Sequence, residues 1–250
     1  MGSRVAQTAV FAACSFGRAR EQTADPKIAG PRYTASNNRG IMTMRIITLE
    51  REYGSGGADI AEKLAQRLDW KLWNQSLTEE IARRMDCGCE AVEEREEKRD
   101  PLYYRLFKSF MRGSQEGIQN APRLKMVDAD CIRVVAEQVV NAAAEEGNCV
   151  IVGRGSAYYL SDRLDAFHVF IYAPFEDKVR RLQKTGKSRS EAVHLAEAVD
   201  VDRAAYIKQY FNVNWPERHR FHLMVNSGIG DEVAVETILD AMARCAKQRG

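Results

Sequence analysis

A short apolar run, "RIITL" (45–49), passes directly into "EREYGSGGADIAEKLA", and no other stretch restricts the possible folds so much. The first part reads as a buried strand that stops at a turn signal. In the second, Ile60, Leu64 and Leu68 share one helical face, widened by Ala61 and Ala65. Between them, glycines at 54, 56 and 57 let the chain take positive φ and turn its N–H groups inward. A helix starting near Ala58 adds unsatisfied amides and the positive end of its dipole. Strand, glycine loop and helix together make an anion site that needs no side chain. The phosphate-loop pattern GxxxxGK[ST] is not met, because Gly57 stands at the lysine position and Ala58 at the Ser/Thr position. The cation has to come from elsewhere, unless the loop is only a tight strand-to-helix turn.

The rhythm set here continues. "KLWN" reads as a short edge strand and "SLTEEIARRM" (76–85) as a helix, with Ser76 and Glu79 at capping-box spacing. "DCIRVVAEQVVNAAAEEG" (130–147) puts Ile132, Val135, Ala136, Val139, Val140 and Ala143 on one face and stops at Gly147. "CVIV", "FHVFIYA" and "HLMV" are strands; "FEDKVRRLQKTG", "SEAVHLAEAVDVDRAAYIKQYF" and "DEVAVETILDAMARCAKQ" are helices. Strands that alternate with helices imply a parallel sheet covered on both faces, with ligands beyond the carboxyl ends of the strands. Residues 86–127 interrupt the pattern with a charge run and "PLYYRLFKSFM", an amphipathic insertion suited to covering a site or meeting a second subunit.

Residues 1–43 lack sustained periodicity and read as a disordered extension ahead of a domain at 44–250. A net charge of +2 favours neither a nucleic-acid nor a membrane partner, and no apolar run reaches the roughly 20 residues of a membrane span. The six cysteines have no disulfide framework, and the "CGC" at 87–89 lacks a second pair at zinc spacing. This pattern points to a soluble, cytoplasmic protein and leaves monomer and homo-oligomer both open.

Each strand end offers groups suited to phosphate. After "CVIV", Gly153 and Gly155 leave space around Arg154, whose guanidinium suits bidentate capture of a phosphate. After "FHVFIYA", Lys178, Arg180, Arg181, Lys184, Lys187 and Arg189 fall within twelve positions around Gly186, as in a basic lid or a solvated helix end. Asp200 and Arg203 lie one helical turn apart. After the last strand, "NSG" (226–228) is a polar turn.

From about Arg45 to Cys245 the chain resembles the cytidylate kinase-like proteins, relatives of P-loop nucleoside monophosphate kinases. The marks are "ITLEREYGSGGADIAEKLA", "VIVGRGSAYYL", "DAFHVFIYAPFEDKVRRL" and "DVDRAAYIKQYFNVNW", in that order. The resemblance implies a three-layer P-loop NTPase fold with a helical monophosphate-binding insertion at 86–127 and a lid at about 182–200. It implies transfer of the ATP γ-phosphoryl to a nucleoside monophosphate, CMP or dCMP, with Mg2+ bridging phosphates. Gly54, Ser55, Gly56 and Gly57, with Ala58 and Asp59, would then hold ATP, and Arg154 with Gly153 and Gly155 the acceptor phosphate. Arg181, Asp200 and Arg203 would lie near the transferring group or organise the lid, and Arg51 would add charge there. Members with this loop often carry arginine where Ala58 stands, and bacterial cytidylate kinases an acid where Gly155 stands. A nucleotide-binding protein without turnover, and a kinase for another small acceptor, are the other readings.

Overall fold

The structure, a computed structural model, describes residues 43–88 and 129–249. The expected extension at 1–43, save Thr43, and the 86–127 insertion beyond Gly88 lie outside them. Five strands form one parallel sheet in the order β2-β3-β1-β4-β5. They are β1 Ile46–Arg51, β2 Lys71–Trp73, β3 Cys149–Val152, β4 Ala166–Tyr172 and β5 Leu223–Asn226. The helices are α1 Gly57–Leu68, α2 Gln75–Gly88, α3 Ala129–Glu146, α4 Ser156–Tyr159, α5 Phe175–Lys184, α6 Arg189–Phe211 and α7 Asp231–Arg249.

The period-two pleat of β1 sorts the core into two halves. Ile46 joins Ile151 of β3 and Phe170 of β4 under α2, α3 and α4, where Leu77, Ile81, Ala136, Val139 and Val140 are buried. Ile47 and Leu49 join Val150, Val152 and Val169 on the opposite side, under Ile60 and Leu64 of α1 and Val235 and Ile238 of α7. Helices therefore cover both faces of the sheet, which is the expected three-layer α/β arrangement. A third cluster joins α5 to α6 through Val179, Leu182, Ala192, Ala196 and Val199 and takes in Tyr53 from the loop after β1.

Register decides where the site forms. Leu49 lies opposite Val152, Arg51 opposite Ile171 and Tyr172 opposite Asn226. The segments after β1, β3, β4 and β5 thus emerge at one edge of the sheet. β2 is an edge strand, as its sequence suggests. Among the described residues no helix is long and apolar enough to cross a membrane.

One local expectation fails. α2 begins at Gln75, so Ser76 is already helical and its hydroxyl donates to the Leu72 carbonyl at 3.4 Å. Glu79 accepts instead from the Gln75 side chain at 2.9 Å. The capping-box reading missed a helix that starts one residue early with a glutamine. Elsewhere the helix ends fall where expected: α3 stops at Gly147 (φ +67), and the Ser188 side chain caps α6 by accepting from Glu191 N–H at 3.2 Å.

Leu64 is wholly buried between α1 and the sheet. Leu64→Ala should lower unfolding free energy by about 3 kcal/mol, measured by urea denaturation, from lost burial plus the cavity left behind.

Candidate active site

The loop between β1 and α1 is built on glycine. Gly54 (φ +77) and Gly56 (φ +76) hold a left-handed conformation that side-chain-bearing residues rarely adopt. Gly56 is the N-cap of α1 and brings no side-chain acceptor, so the first-turn amides are left for a ligand. The Ser55 hydroxyl donates to the Glu52 carbonyl at 2.8 Å, and the Ser55 carbonyl accepts from the Ser227 hydroxyl at 2.6 Å. Ser55 therefore braces the loop with its side chain and also with its N–H, which donates to the same Glu52 carbonyl at 3.3 Å. Ala58 is half-buried and Asp59 exposed on the first turn of α1.

Helix α5 lies directly on this loop. A β-carbon on Gly54 would come within 3.0 Å of the Lys178 carbonyl, and one on Gly56 would collide with the Arg181 guanidinium. Arg181 is held by Asp231, with one guanidinium nitrogen 2.7 Å from the carboxylate. Asp200 organises the other side. It accepts from the Tyr53 backbone N–H at 2.8 Å and from Arg203 at 3.0 Å, and pairs with Lys178 at 3.3 Å. Lys178 also meets Glu52 at 3.2 Å, while Arg203 donates to the Arg51 carbonyl at 2.7 Å.

Beside the loop, Glu50, Arg51, Arg154, Arg203 and Tyr206 line a small cleft of about 30 Å³. Arg51 and Arg154 are 6% and 4% exposed, so their charges are largely out of water. Arg154 sits at positive φ (+61) and donates to the Thr78 hydroxyl of α2. Burial first, and then Arg51 and Arg203, push its pKa down to about 9, which leaves it cationic at neutral pH. Burial raises the Glu50 carboxyl above its usual range against the pull of Arg51, Arg203 and Arg154. Glu50 Oε1 has no hydrogen-bond partner among the described residues. The three cations share the cleft with Glu50 and Asp202, and Arg203 is also paired with Asp200; guanidinium groups gathered in this way are suited to an oxyanion.

The structure thus gathers Arg51, Arg154 and Arg203, with Gly153 and Gly155 at the cleft wall, from three separate segments. Arg181 stands apart, against Gly56 and Asp231, and Asp200 supports the loop from below. The basic run is less free than its composition suggests. Lys178, Arg180, Arg181 and Arg189 pair with Asp200, Asp177, Asp231 and Glu176. Sequence reasoning missed Glu50 and Asp231 as parts of the site; it had Lys178 only within the basic run and Ser227 only within the polar turn after the last strand. Glu50 had a signal, a charged residue inside an otherwise apolar strand end; the pairing of Arg181 with a residue 50 positions away had none. Among the described residues no group of three or more His, Cys, Asp or Glu could hold a metal ion.

A sequence model of the cytidylate kinase-like family matches residues 46–229, from β1 to the turn after β5, and the chain belongs to that family. No curated protein matches. Among solved structures, a protein of Eubacterium ventriosum described as uncharacterized aligns with a TM-score of 0.58 at 20% identity, covering 81% of this chain and 99% of that one. Shikimate kinase from Acinetobacter baumannii follows at 0.45 and 14%, covering 81% and 95%. Deoxyadenosine kinase from M. mycoides stands at 0.37 and 10%, covering 80% and 98%. The likeness to the E. ventriosum protein is one of fold. Family membership makes this a kinase-like, nucleotide-binding chain.

Removing Asp200 would leave Lys178 and Arg203, both nearly buried, without their shared carboxylate. Asp200→Ala should lower stability by about 3 kcal/mol in urea denaturation, whereas Asp162→Ala on the surface should change it by less than about 0.5 kcal/mol.

Proposed function

We propose that this member of the cytidylate kinase-like family is an ATP-dependent nucleoside monophosphate kinase whose acceptor is CMP or dCMP. The observation that supports it most is the convergence of Arg51, Arg154 and Arg203 beside a glycine loop that opens a helix with no side-chain cap. Phosphoryl transfer requires little covalent chemistry of a protein; it requires in-line placement and positive charge around the equatorial oxygens. In this reading the amides from Gly56 to Asp59, at the start of α1, hold the ATP phosphates. Arg154, braced by Thr78, takes the acceptor phosphate. The γ-phosphorus bonds to an acceptor phosphate oxygen as its bond to the bridging oxygen breaks, giving ADP and a nucleoside diphosphate. Arg203, fixed by Asp200, and Arg181, fixed by Asp231, add charge from either side.

Magnesium fits this site only through the nucleotide. Ala58 has no hydroxyl for it, so the ion would ride on the triphosphate, where it supplies charge neutralisation. The base contact is also unlike that of the bacterial cytidylate kinases. Gly155 sits at φ +72, and a β-carbon there would lie 3.0 Å from the Phe211 ring, so the acid those enzymes carry has no room. That crowding favours, as a second reading, a kinase acting on another small phosphorylated or hydroxyl-bearing acceptor. The loop's missing lysine and hydroxyl favour a third, a nucleotide-binding regulator without turnover.

One assay separates them: purified protein, ATP and magnesium against CMP, dCMP, UMP, AMP and GMP. Turnover of CMP or dCMP above the rest is the expected result. ATP binding by calorimetry with no product from any of the five would discard the monophosphate kinase. Arg154→Ala should raise the acceptor KM by about thirtyfold, from loss of a charged hydrogen bond, with the ATP KM within about twofold. An unchanged acceptor KM would remove Arg154 from the site.

A further inference from the structure

Counted along GxxxxGK[ST], the first glycine of the pattern falls on Arg51 and the lysine on Gly57. The two departures lie six positions apart in sequence, yet they touch. A β-carbon on Gly57 would come within 2.7 Å of Arg51 Cβ and 2.9 Å of its Cγ, distances that real β-carbons essentially never show. Backbone conformation does not explain this glycine. Gly54 and Gly56 need positive φ, whereas Gly57 is absent from the positive-φ residues and opens a helix, where alanine would be the better residue. What Gly57 provides is room for the Arg51 stem.

The other end of Arg51 has a matching allowance. A β-carbon on Gly153 would collide with Arg51 Nη1, so the guanidinium lies against the end of β3, next to Arg154. Arg51 therefore runs from the first turn of α1, where the donor phosphates would sit, to the cleft where the acceptor phosphate would sit. A group in transfer passes between those two points.

We infer that Arg51 and Gly57 are an exchanged pair: the cation that such a loop carries at its lysine position comes here from its first position, and Gly57 is glycine to admit it. This rests on the reading of the loop as a triphosphate site. Arg51 is then a catalytic residue whose stem lies against the loop and whose guanidinium meets the β- and γ-phosphates from the side of the cleft. A guanidinium offers a planar fork in place of an ammonium, so it can hold an oxygen of each phosphate at once. A lysine added at position 57 on its own would meet Arg51 as a like charge in space already filled.

The test compares ATP, ADP and AMP affinity, and turnover, for the parent, Arg51→Ala, Arg51→Lys, Gly57→Ala and the double variant Arg51→Gly/Gly57→Lys. Arg51→Ala should weaken ATP binding by about thirtyfold while AMP binding stays within about twofold, as expected for one lost charge-assisted contact to the outer phosphates. Turnover should fall by about a thousandfold. Gly57→Ala, which adds one methyl to a helix, should lose at least about tenfold in turnover because it displaces Arg51, and Arg51→Lys should keep more ATP affinity than Arg51→Ala. The double variant should recover at least about tenfold over Arg51→Ala. An unchanged ratio of ATP to AMP affinity in Arg51→Ala overturns the exchange, as does a double variant no better than Arg51→Ala. Parent protein that binds ATP but phosphorylates nothing ends the kinase reading and leaves the exchange to be decided by that ratio. Parent protein that binds none of the three nucleotides ends both.

Discussion

Three guanidinium groups around one small cleft repel one another, and the folded chain sustains that repulsion because every neighbouring element supplies something negative. Arg203 has the Asp200 carboxylate and the Arg51 carbonyl, Arg154 has the Thr78 hydroxyl, and Glu50 lies among all three. In a low-dielectric interior such an arrangement is paid for by the surrounding apolar core. The two halves of that core clamp β1 from both faces, which keeps Glu50 and Arg51 where the sheet ends. In the proposed function, a bound oxyanion would relieve part of that repulsion.

Much of the architecture was legible because buried parallel strands are short apolar runs and their helices show one apolar stripe. The end of β3 at Val152 follows from that, and so does the placement of Arg154 just past it, whereas β1 runs two residues and β5 one residue beyond their apolar runs, to Arg51 and Asn226. The sheet order was not legible, since nothing in "CVIV" or "FHVFIYA" says which neighbours β1. The loop was readable as an anion cradle from its glycines, but not the reason for each of them. Gly54 and Gly56 need positive φ and also leave room for Lys178 and Arg181 of α5, while Gly57 and Gly155 leave room for Arg51 and Phe211.

The basic run shows the same limit from the electrostatic side. Within residues 178–189 the sequence holds only cations, so composition suggests an unsatisfied lid. Four of those cations are matched by acids at 177, 176, 200 and 231, two of them from distant parts of the chain. Charge patterning along a sequence cannot see partners brought in by the fold. Ser76 shows the reverse error, a local motif at the right spacing that the helix overrode by starting one residue sooner.

Tyr53 carries a mechanical consequence. Its ring is buried in the apolar seam that joins α5 to α6, while its own N–H is fastened to Asp200 on α6. The loop after β1 and the helical hairpin are therefore joined at two points, one apolar and one a hydrogen bond to a carboxylate. Lifting the hairpin as a whole would drag the loop out of shape, so the two travel as a single body. The tip around Gly186 is tied to neither: a β-carbon there would meet nothing within 4 Å.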